Sequence, residues 1–209
     1  MSQFKRTYLD IPYADAHERE KLDLVLPDEG EGPFPVVVAV HGGAWKLRFK
    51  RADNIAGLFQ AASQGYAVAS VGYRLSSHAK WPAQVNDVKA AIRYLRNHAE
   101  EYHLDPTCVI VCGNSSGGHI AQTVAATNDD IDFEDCLLGD CGDSSVQGCF
   151  SMYGVSDIYV CEHQTGHRDD GDNPMSPPDQ LMGFCIVAEP EERCEMASSV
   201  KAIKRRPDG

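Results

Sequence analysis

The sequence predicts an α/β fold built on a doubly wound, mostly parallel sheet. Short apolar runs, such as residues 36–40 and 108–112, alternate along the chain with segments of helical periodicity, such as residues 82–99. These runs are apolar on both faces, which is typical of central strands that helices cover on both sides. A chain of 209 residues is long enough for one such domain, and we predict that residues 1–209 form it.

Each element has its own signal in the sequence. Pro82 suits the first position of a helix, and Gly65 marks the end of the helix predicted before it. The predicted strands are residues 22–27, 36–40, 66–71, 108–112 and 146–155. The predicted helices are residues 52–63, 82–99, 116–126 and a short one at 190–203. Seven acidic residues predict a solvated surface loop at 129–143, and residues 158–190 are predicted to be cap-like or irregular.

The composition disfavours several classes of partner. Nineteen Lys and Arg residues against thirty-one Asp and Glu residues give a net charge of −12. This charge disfavours nucleic acid and anionic membrane surfaces, because both need clustered basic side chains. No run reaches the roughly 18 apolar residues of a membrane helix, so no membrane partner is expected. The N-terminus shows no apolar signal segment, and we therefore expect a cytoplasmic location.

The eight cysteines lie between Cys108 and Cys194. Without a signal segment we expect reduced thiols, mostly buried as small apolar side chains. No Cys-x-x-Cys pair is combined with a second Cys or His pair, so no metal is expected. The acidic residues at 169–173 miss the spacing of an EF-hand loop, and we expect them to be solvated instead of binding calcium.

A G-x-S-x-G pentapeptide, residues 113–117, lies between a predicted strand and a predicted helix. Ser115 is its candidate nucleophile, because a sharp strand-to-helix turn lifts the serine hydroxyl to the edge of the sheet. Glycines two residues before and after leave room for that backbone, where a Cβ would collide with neighbouring elements. The N-terminal dipole of the helix points at charge that forms near Ser115. A plain serine in a glycine-rich turn is the alternative interpretation.

A glycine-rich loop, residues 41–45, directly follows the predicted strand at 36–40. Acyl transfer places negative charge on a substrate oxygen, and each backbone N–H that binds this oxygen contributes about 3–4 kcal/mol. The expected donors are the N–H groups of Gly43, Ala44 and Ser116. We expect the His41 ring to hydrogen-bond within the loop instead of acting as the base. Trp45 either lines an acyl pocket or packs, and both interpretations stay open.

Together with two further motifs, these residues resemble the α/β-hydrolases. The matching segments are His41-Gly42-Gly43-Ala44-Trp45, Gly72-Tyr73-Arg74-Leu75, Trp81-Pro82-Ala83-Gln84 with Asp87, and Gly113-Asn114-Ser115-Ser116-Gly117-Gly118-His119. Within that superfamily the chain is similar to the acetyl esterase/lipase branch, which includes bacterial feruloyl and acetyl-xylan esterases and relatives of hormone-sensitive lipase. The resemblance covers most of residues 20–157 and resumes weakly at 176–203.

The resemblance implies a serine carboxylesterase with Ser115 as the nucleophile. It implies small-molecule substrates that are short acyl esters, often of sugars or aryl alcohols, and it implies no cofactor. It also gives Arg74 and Asp87 a structural role, as an ion pair. The His-Gly-Gly-x-Trp form also occurs in kynurenine formamidases, so hydrolysis of an amide by an arylformamidase-like enzyme is an alternative.

The sequence departs from this family downstream of Ser115. In the superfamily the nucleophile is followed by an Asp or Glu and then by a His, but neither motif occurs before the chain ends at Gly209. We therefore expect a hydrolase that lacks its last two strands, its acid and its histidine, and whose activity is impaired. A non-catalytic remnant that binds a ligand or a protein is the competing hypothesis.

Few residues are candidates to replace the missing groups. Asp157 follows the predicted strand at 146–155 and is a candidate substitute acid. The histidines downstream of the nucleophile are not favoured as substitute bases: His119, His163 and His167. Trp45 and His119 are instead candidate residues of the substrate pocket.

Without closing strands, the predicted strand at 146–155 would lie at the edge of the sheet. Unpaired backbone groups at such an edge seek partners. We expect this edge to be covered either by residues 176–203 or by a second copy of the chain in a homodimer. The third alternative is that nothing covers it and that the chain is a poorly soluble fragment.

Overall fold

A computed structural model describes residues 4–165 and 175–205, and a six-stranded sheet lies at its centre. The strands are β1 (Thr7–Pro12), β2 (Lys21–Val25), β3 (Phe34–Val40), β4 (Ala67–Val71), β5 (Leu104–Asn114) and β6 (Gly148–Met152). Their order across the sheet is β1-β2-β4-β3-β5-β6. Strands β4, β3, β5 and β6 are parallel, and β1 and β2 add an antiparallel edge. The predicted α/β class with a mostly parallel sheet is confirmed.

The α-helices of the described residues are α1 (Ala83–Asn97), α2 (Ser116–Ala126), α3 (Ile158–Thr165), α4 (Pro177–Met182) and α5 (Ser199–Arg205). The 3₁₀ helices are Asp53–Gln64, Ile131–Phe133, Ile186–Ala188 and Glu191–Ala197. The predictions of α1 and α2 are confirmed. The helix predicted at 52–63 is a 3₁₀ helix, and the one predicted at 190–203 is broken at Ser198, which pairs with Asp157 in a β-bridge.

One strand and two α-helices were not predicted, nor were the short 3₁₀ helices Ile131–Phe133 and Ile186–Ala188. Strand β1 does not alternate between buried and exposed residues, because most of its residues are exposed. Helices α3 and α4 lie in the region predicted to be cap-like or irregular. The segment 166–174, which includes His167 and the acidic residues near 170, lies outside the described residues.

The two faces of the sheet pack against different elements. On one face, alternate residues such as Val38 and Val40 of β3 pack with apolar side chains of α1 and α2. On the other face, Val37 and Ala39 pack against the 3₁₀ helix Asp53–Gln64. The central strands are therefore buried on both faces, as their apolar pattern predicts.

The acidic loop at 129–143 is anchored on α1, so the prediction of a purely solvated loop is corrected. The Nζ of Lys89 and the Nη1 of Arg93 contact the carboxylate of Glu134 at 2.9 and 2.7 Å. Arg93 also donates to the carbonyl oxygens of Asp140 (2.6 Å) and Leu138 (2.8 Å). Both basic side chains are buried, because the loop carbonyls and one acid take the place of water around them.

Arg74 and Asp87 form the predicted ion pair. The Arg74 Nη2 lies 2.6 Å from Oδ1 of Asp87, and the Arg74 backbone N–H donates to Oδ2 at 2.6 Å. Asp87 is fully buried on α1, and the Nε of Arg74 also lies 3.2 Å from buried Glu20. One guanidinium therefore joins the chain after β4 to α1 and to the segment before β2.

All eight cysteines are free, but the expectation that most are buried is wrong. Only Cys112 and Cys194 are buried, and three are exposed: Cys136, Cys141 and Cys149. The runs that carry cysteines include loops and the exposed face of β6, where apolar periodicity gives no information about burial.

Strand β6 is the last strand of the sheet and pairs with β5 alone among the described residues. Its Phe150 is 57% exposed. Helix α5, which begins within residues 176–203, packs on α2. No strand from that segment pairs with β6 within the described ranges, and cover by a second copy stays a prediction. Within the described residues, no helix is both long and apolar enough to cross a bilayer.

Candidate active site

Ser115 lies at the turn between β5 and α2, at the carboxyl edge of the parallel strands. Its backbone adopts φ 52° and ψ −123°, a conformation that is strained for a residue with a Cβ. Its N–H donates to the carbonyl oxygen of Met152 on β6 at 2.9 Å. The side chain is half-buried, and no hydrogen bond to its Oγ occurs among the described residues. The sharp strand-to-helix turn is therefore present where the pentapeptide predicts it.

The two glycines of the pentapeptide hold this turn close to its neighbours. A Cβ on Gly117 would meet the carbonyl oxygens of Val40 and His41 at the end of β3. A Cβ on Gly113 would meet the carbonyl group of Gly117. The predicted reason for both glycines is confirmed, and the start of α2 lies directly against the loop that follows β3.

The glycine-rich loop that follows β3 is also strained. Gly43 has φ 135°, and Ala44 and Trp45 have φ values of 51° and 57°. The Gly42 N–H donates to Oδ1 of Asn114 at 3.1 Å, which joins the loop to the residue before Ser115. Among the described residues nothing accepts a hydrogen bond from the N–H of Gly43 or Ala44.

Ser116 offers a third N–H of the same kind. It is the first residue of α2, where a backbone N–H has no acceptor within the helix. The loop and the helix start therefore leave three amide protons without a partner among the described residues, next to a half-buried serine hydroxyl. An acyl-transfer site needs N–H donors of this kind close to its nucleophile.

His41 is buried beside this loop. Its ring stacks on Tyr73, with 4.3 Å between ring centroids, and its Nδ1 lies 2.9 Å from the carbonyl oxygen of Gly42. Burial lowers the pKa of His41 to about 4, although the hydrogen bond to Gly42 opposes the shift. The ring is therefore neutral near pH 7 and hydrogen-bonded within its own loop, as expected.

His119 is fully buried, and both of its ring nitrogens have partners. Its Nδ1 accepts from Nε1 of Trp45 at 3.1 Å, and since an indole nitrogen only donates, the imidazole proton lies on Nε2. That Nε2 donates to the carbonyl oxygen of Ala197 at 3.0 Å. Trp81 stacks on the ring at 4.6 Å between centroids, and burial lowers the pKa of His119 to about 4.

These contacts correct the expected pocket role of His119. A ring with no exposed surface and no free nitrogen neither contacts substrate nor accepts a proton from Ser115. Trp45 is only 4% exposed, and its ring meets the His119 ring edge to face. Of the two interpretations left open for Trp45, an acyl pocket or packing, the structure supports packing. The pair instead joins the glycine-rich loop to the C-terminal segment at Ala197.

The candidate acid Asp157 and the disfavoured base His163 have other hydrogen-bond partners. Asp157 accepts from the Val160 N–H at 3.1 Å at the start of α3, and its other oxygen accepts from the Ser198 hydroxyl at 3.1 Å. The Nδ1 of His163 lies 2.9 Å from the carbonyl oxygen of Tyr159 on the same helix. No contact between Asp157 and a histidine occurs among the described residues, so its role as an acid stays a prediction.

Sequence reasoning missed two side chains at this site. Asn114 is buried and donates from Nδ2 to the phenol oxygen of Tyr153 at 3.1 Å, while its Oδ1 accepts from Gly42. Tyr153 follows β6, is 77% exposed and has φ 45°. The available signal was a carboxamide at the variable second position of the pentapeptide.

Metal binding has no support in the described part of the chain. No group of three or more His, Cys, Asp or Glu side chains there could hold an ion.

Comparisons with known proteins find relatives that are described as esterases. The chain is similar to two proteins of Mycobacterium tuberculosis: esterase LipQ, with 31% identity over 156 residues, and probable carboxylic ester hydrolase LipM, with 32% identity over 183 residues. These alignments cover 74% and 87% of this chain but 37% and 40% of the relatives. The chain therefore spans about two fifths of the length of these relatives.

A solved structure, described as a bifunctional GH43-CE of Bacteroides eggerthii, superposes with a TM-score of 0.81 at 32% identity. The match covers 96% of this chain and 29% of that one. The sequence model of the BD-FAE family matches residues 22–207. The chain therefore belongs to the BD-FAE family of α/β-hydrolases.

Proposed function

We propose that the chain carries a serine carboxylesterase site, in which Ser115 attacks the carbonyl carbon of a short-chain acyl ester. One observation carries the proposal: the half-buried serine lies on a strained turn beside amide protons that have no partner among the described residues. Relatives described as esterases over most of this chain support it. Small ester molecules are the proposed substrates, with acetyl or aryl esters, including those of carbohydrates, as the preferred class.

The proposed reaction begins when the Ser115 oxygen forms a bond to the ester carbonyl carbon. Negative charge then moves to the carbonyl oxygen, where the N–H groups of Gly43, Ala44 and Ser116 are the proposed donors. Each such donor contributes about 3–4 kcal/mol to the transition state. The bond from the acyl carbon to the alcohol oxygen then breaks, and the leaving alkoxide takes up the proton that the Ser115 hydroxyl has released to water. A water molecule then hydrolyses the acyl-serine ester, which releases the acid and restores the hydroxyl.

The described residues offer no histidine that is hydrogen-bonded to Ser115 and could take its proton. Both nitrogens of His119 are engaged, and His41 is buried against Tyr73. We therefore propose that the isolated chain hydrolyses esters slowly. A serine hydroxyl is a weak nucleophile until an adjacent base takes its proton, so attack by Ser115 is slow where no base is engaged.

Hydrolysis of 4-nitrophenyl acetate, followed together with the intact mass of the protein, tests this proposal. We expect an increase by the mass of one acetyl group and slow release of nitrophenolate, both lost in Ser115→Ala. Ser63→Ala is the matched control. Ser63 is exposed and lies on the 3₁₀ helix Asp53–Gln64, which packs on the face of the sheet away from α1 and α2.

The other hypotheses give different results in the same experiment. Equal rates for the wild type and Ser115→Ala, with no acetylated protein, would favour a non-catalytic binding remnant. Faster Ser115-dependent cleavage of an N-formyl anilide than of the acetate would favour the arylformamidase-like alternative.

The cytoplasmic location expected from the sequence stays a prediction, which these experiments do not test.

A further inference from the structure

One carboxamide joins three segments of the candidate site. Asn114, the last residue of β5, is 3% exposed. Its Oδ1 accepts from the Gly42 N–H at 3.1 Å, and its Nδ2 donates to the Tyr153 phenol oxygen at 3.1 Å. The side chain thus connects the glycine-rich loop, the turn that carries Ser115 and the residue that follows β6.

The chemistry of the two neighbours explains why an amide suits this position. A backbone N–H only donates, so the atom that faces Gly42 must be an acceptor. A phenol hydroxyl both donates and accepts, so it pairs with the amide nitrogen that then faces outward. Gly42 therefore decides the orientation of the carboxamide, and Tyr153 satisfies its second end.

The loop needs such an attachment because its backbone is strained. The three residues after Gly42 have φ values of 135°, 51° and 57°, and two of them are not glycine. Strained backbone persists only where surrounding contacts hold it. The hydrogen bond from Gly42 to Asn114 lies directly before the strained residues 43–45. The first two N–H groups of these residues are the proposed oxyanion donors.

We infer that Asn114 is a positioning residue, which holds the Gly43 and Ala44 N–H groups in place through Gly42. Tyr153 supports it from the exposed side by holding the amide nitrogen. The kinetic part of this inference rests on the proposed ester hydrolysis at Ser115, whereas the hydrogen-bonding part does not depend on it.

The first test measures amide hydrogen exchange at Gly42 by NMR on the ¹⁵N-labelled chain of 209 residues. We expect exchange to be roughly tenfold faster in Asn114→Ala than in the wild type, because the acceptor is lost. Asn114→Asp keeps an oxygen acceptor and is expected to keep the Gly42 N–H protected. Tyr153→Phe removes only the outer partner, and we expect a smaller increase than in Asn114→Ala.

Asn128 provides a matched control at the far end of α2. Its side chain also bridges two polar groups, accepting from the Val146 N–H at 3.0 Å and donating to the Val146 carbonyl oxygen at 2.9 Å. Asn128→Ala is expected to lower global stability without changing native-state exchange at Gly42. Equal effects of the two alanine variants at Gly42 would overturn the inference, as would unchanged exchange in Asn114→Ala.

The second test is the rate of Ser115 acetylation by 4-nitrophenyl acetate. We expect Asn114→Ala to slow the acetylation step by about 10- to 100-fold with little change in the half-saturating concentration. Asn128→Ala should leave both values unchanged, and an equal slowing in this control would overturn the inference. If the wild type is not acetylated, the proposed function fails, and Gly42 exchange still decides whether Asn114 holds the loop. If Asn114→Ala does not fold, Tyr153→Phe decides: Gly42 exchange that is faster than in the wild type supports the inference, and unchanged exchange overturns it.

Discussion

Acid should destabilise the protein through His119, and replacement by Asn isolates this effect. The folded protein holds the ring neutral, because burial lowers the pKa of His119 to about 4. In the unfolded chain a histidine has a pKa near 6.5. Asn has no titratable ring but keeps an oxygen acceptor near the position of Nδ1, so His119→Asn preserves a partner for the Trp45 indole.

The sign follows from proton binding. Between pH 6.5 and about 4 the unfolded chain carries a proton on this residue and the folded chain does not, so the free energy of unfolding falls as the pH falls. The stabilising contribution is complete above pH 6.5 and is lost through this window. The gap between the two pKa values corresponds to about 3 kcal/mol. His41 has a similarly lowered pKa, but it titrates in both proteins and cancels in the comparison.

Urea unfolding of the wild type and His119→Asn between pH 7.5 and 4 measures the effect. Near pH 7.5 we expect the variant to be less stable by about 1–3 kcal/mol, because the Ala197 carbonyl oxygen loses its donor. As the pH falls, this difference should shrink by up to about 3 kcal/mol, and it should vanish or reverse near pH 4. A difference in the free energy of unfolding that does not change with pH would contradict the conclusion that the His119 ring is buried and neutral.

Three further substitutions, with one control, test contacts that hold the fold together. Arg74→Ala should lower the free energy of unfolding by about 3–5 kcal/mol at pH 7, because Asp87 is left buried without its partner; a loss below about 1 kcal/mol in urea unfolding would contradict this. Gly117→Ala should cost about 1–3 kcal/mol or more, whereas Gly57→Ala, with open space around its Cβ, should change stability by less than about 1 kcal/mol. Arg93→Ala should release the loop at 129–143, seen as faster limited proteolysis within it, and an unchanged cleavage pattern would argue against the anchor.

The parts of the fold that sequence predicted best are those with local signals. Helix α2 begins and ends at the predicted residues, because the pentapeptide and the turn geometry at Ser115 define its start. Strand β3 is apolar on both faces and is buried on both. The ion pair of Arg74 and Asp87 was available only from the family resemblance, since nothing local indicates that two residues 13 apart meet.

The parts that sequence missed depend on tertiary contacts. Strand β1 has no clean alternation, and Asp10 within it has φ 56°. The C-terminal segment is shaped by contacts such as Asp157 with Ser198, which interrupt the predicted helix. Asn114 was visible in the sequence, but the two groups that it joins lie 72 and 39 residues away, and only the folded chain brings them together.

The most direct test of the central claim is intact-mass analysis after treatment with a fluorophosphonate. A serine hydroxyl beside oxyanion donors attacks the phosphorus centre, and fluoride leaves with the hydroxyl proton, so one phosphonyl group is added. We expect a single adduct that peptide mapping places on Ser115 and that is absent in Ser115→Ala. A folded wild-type protein that gains no adduct, or that gains one equally in Ser115→Ala, would contradict the assignment of Ser115 as the nucleophile.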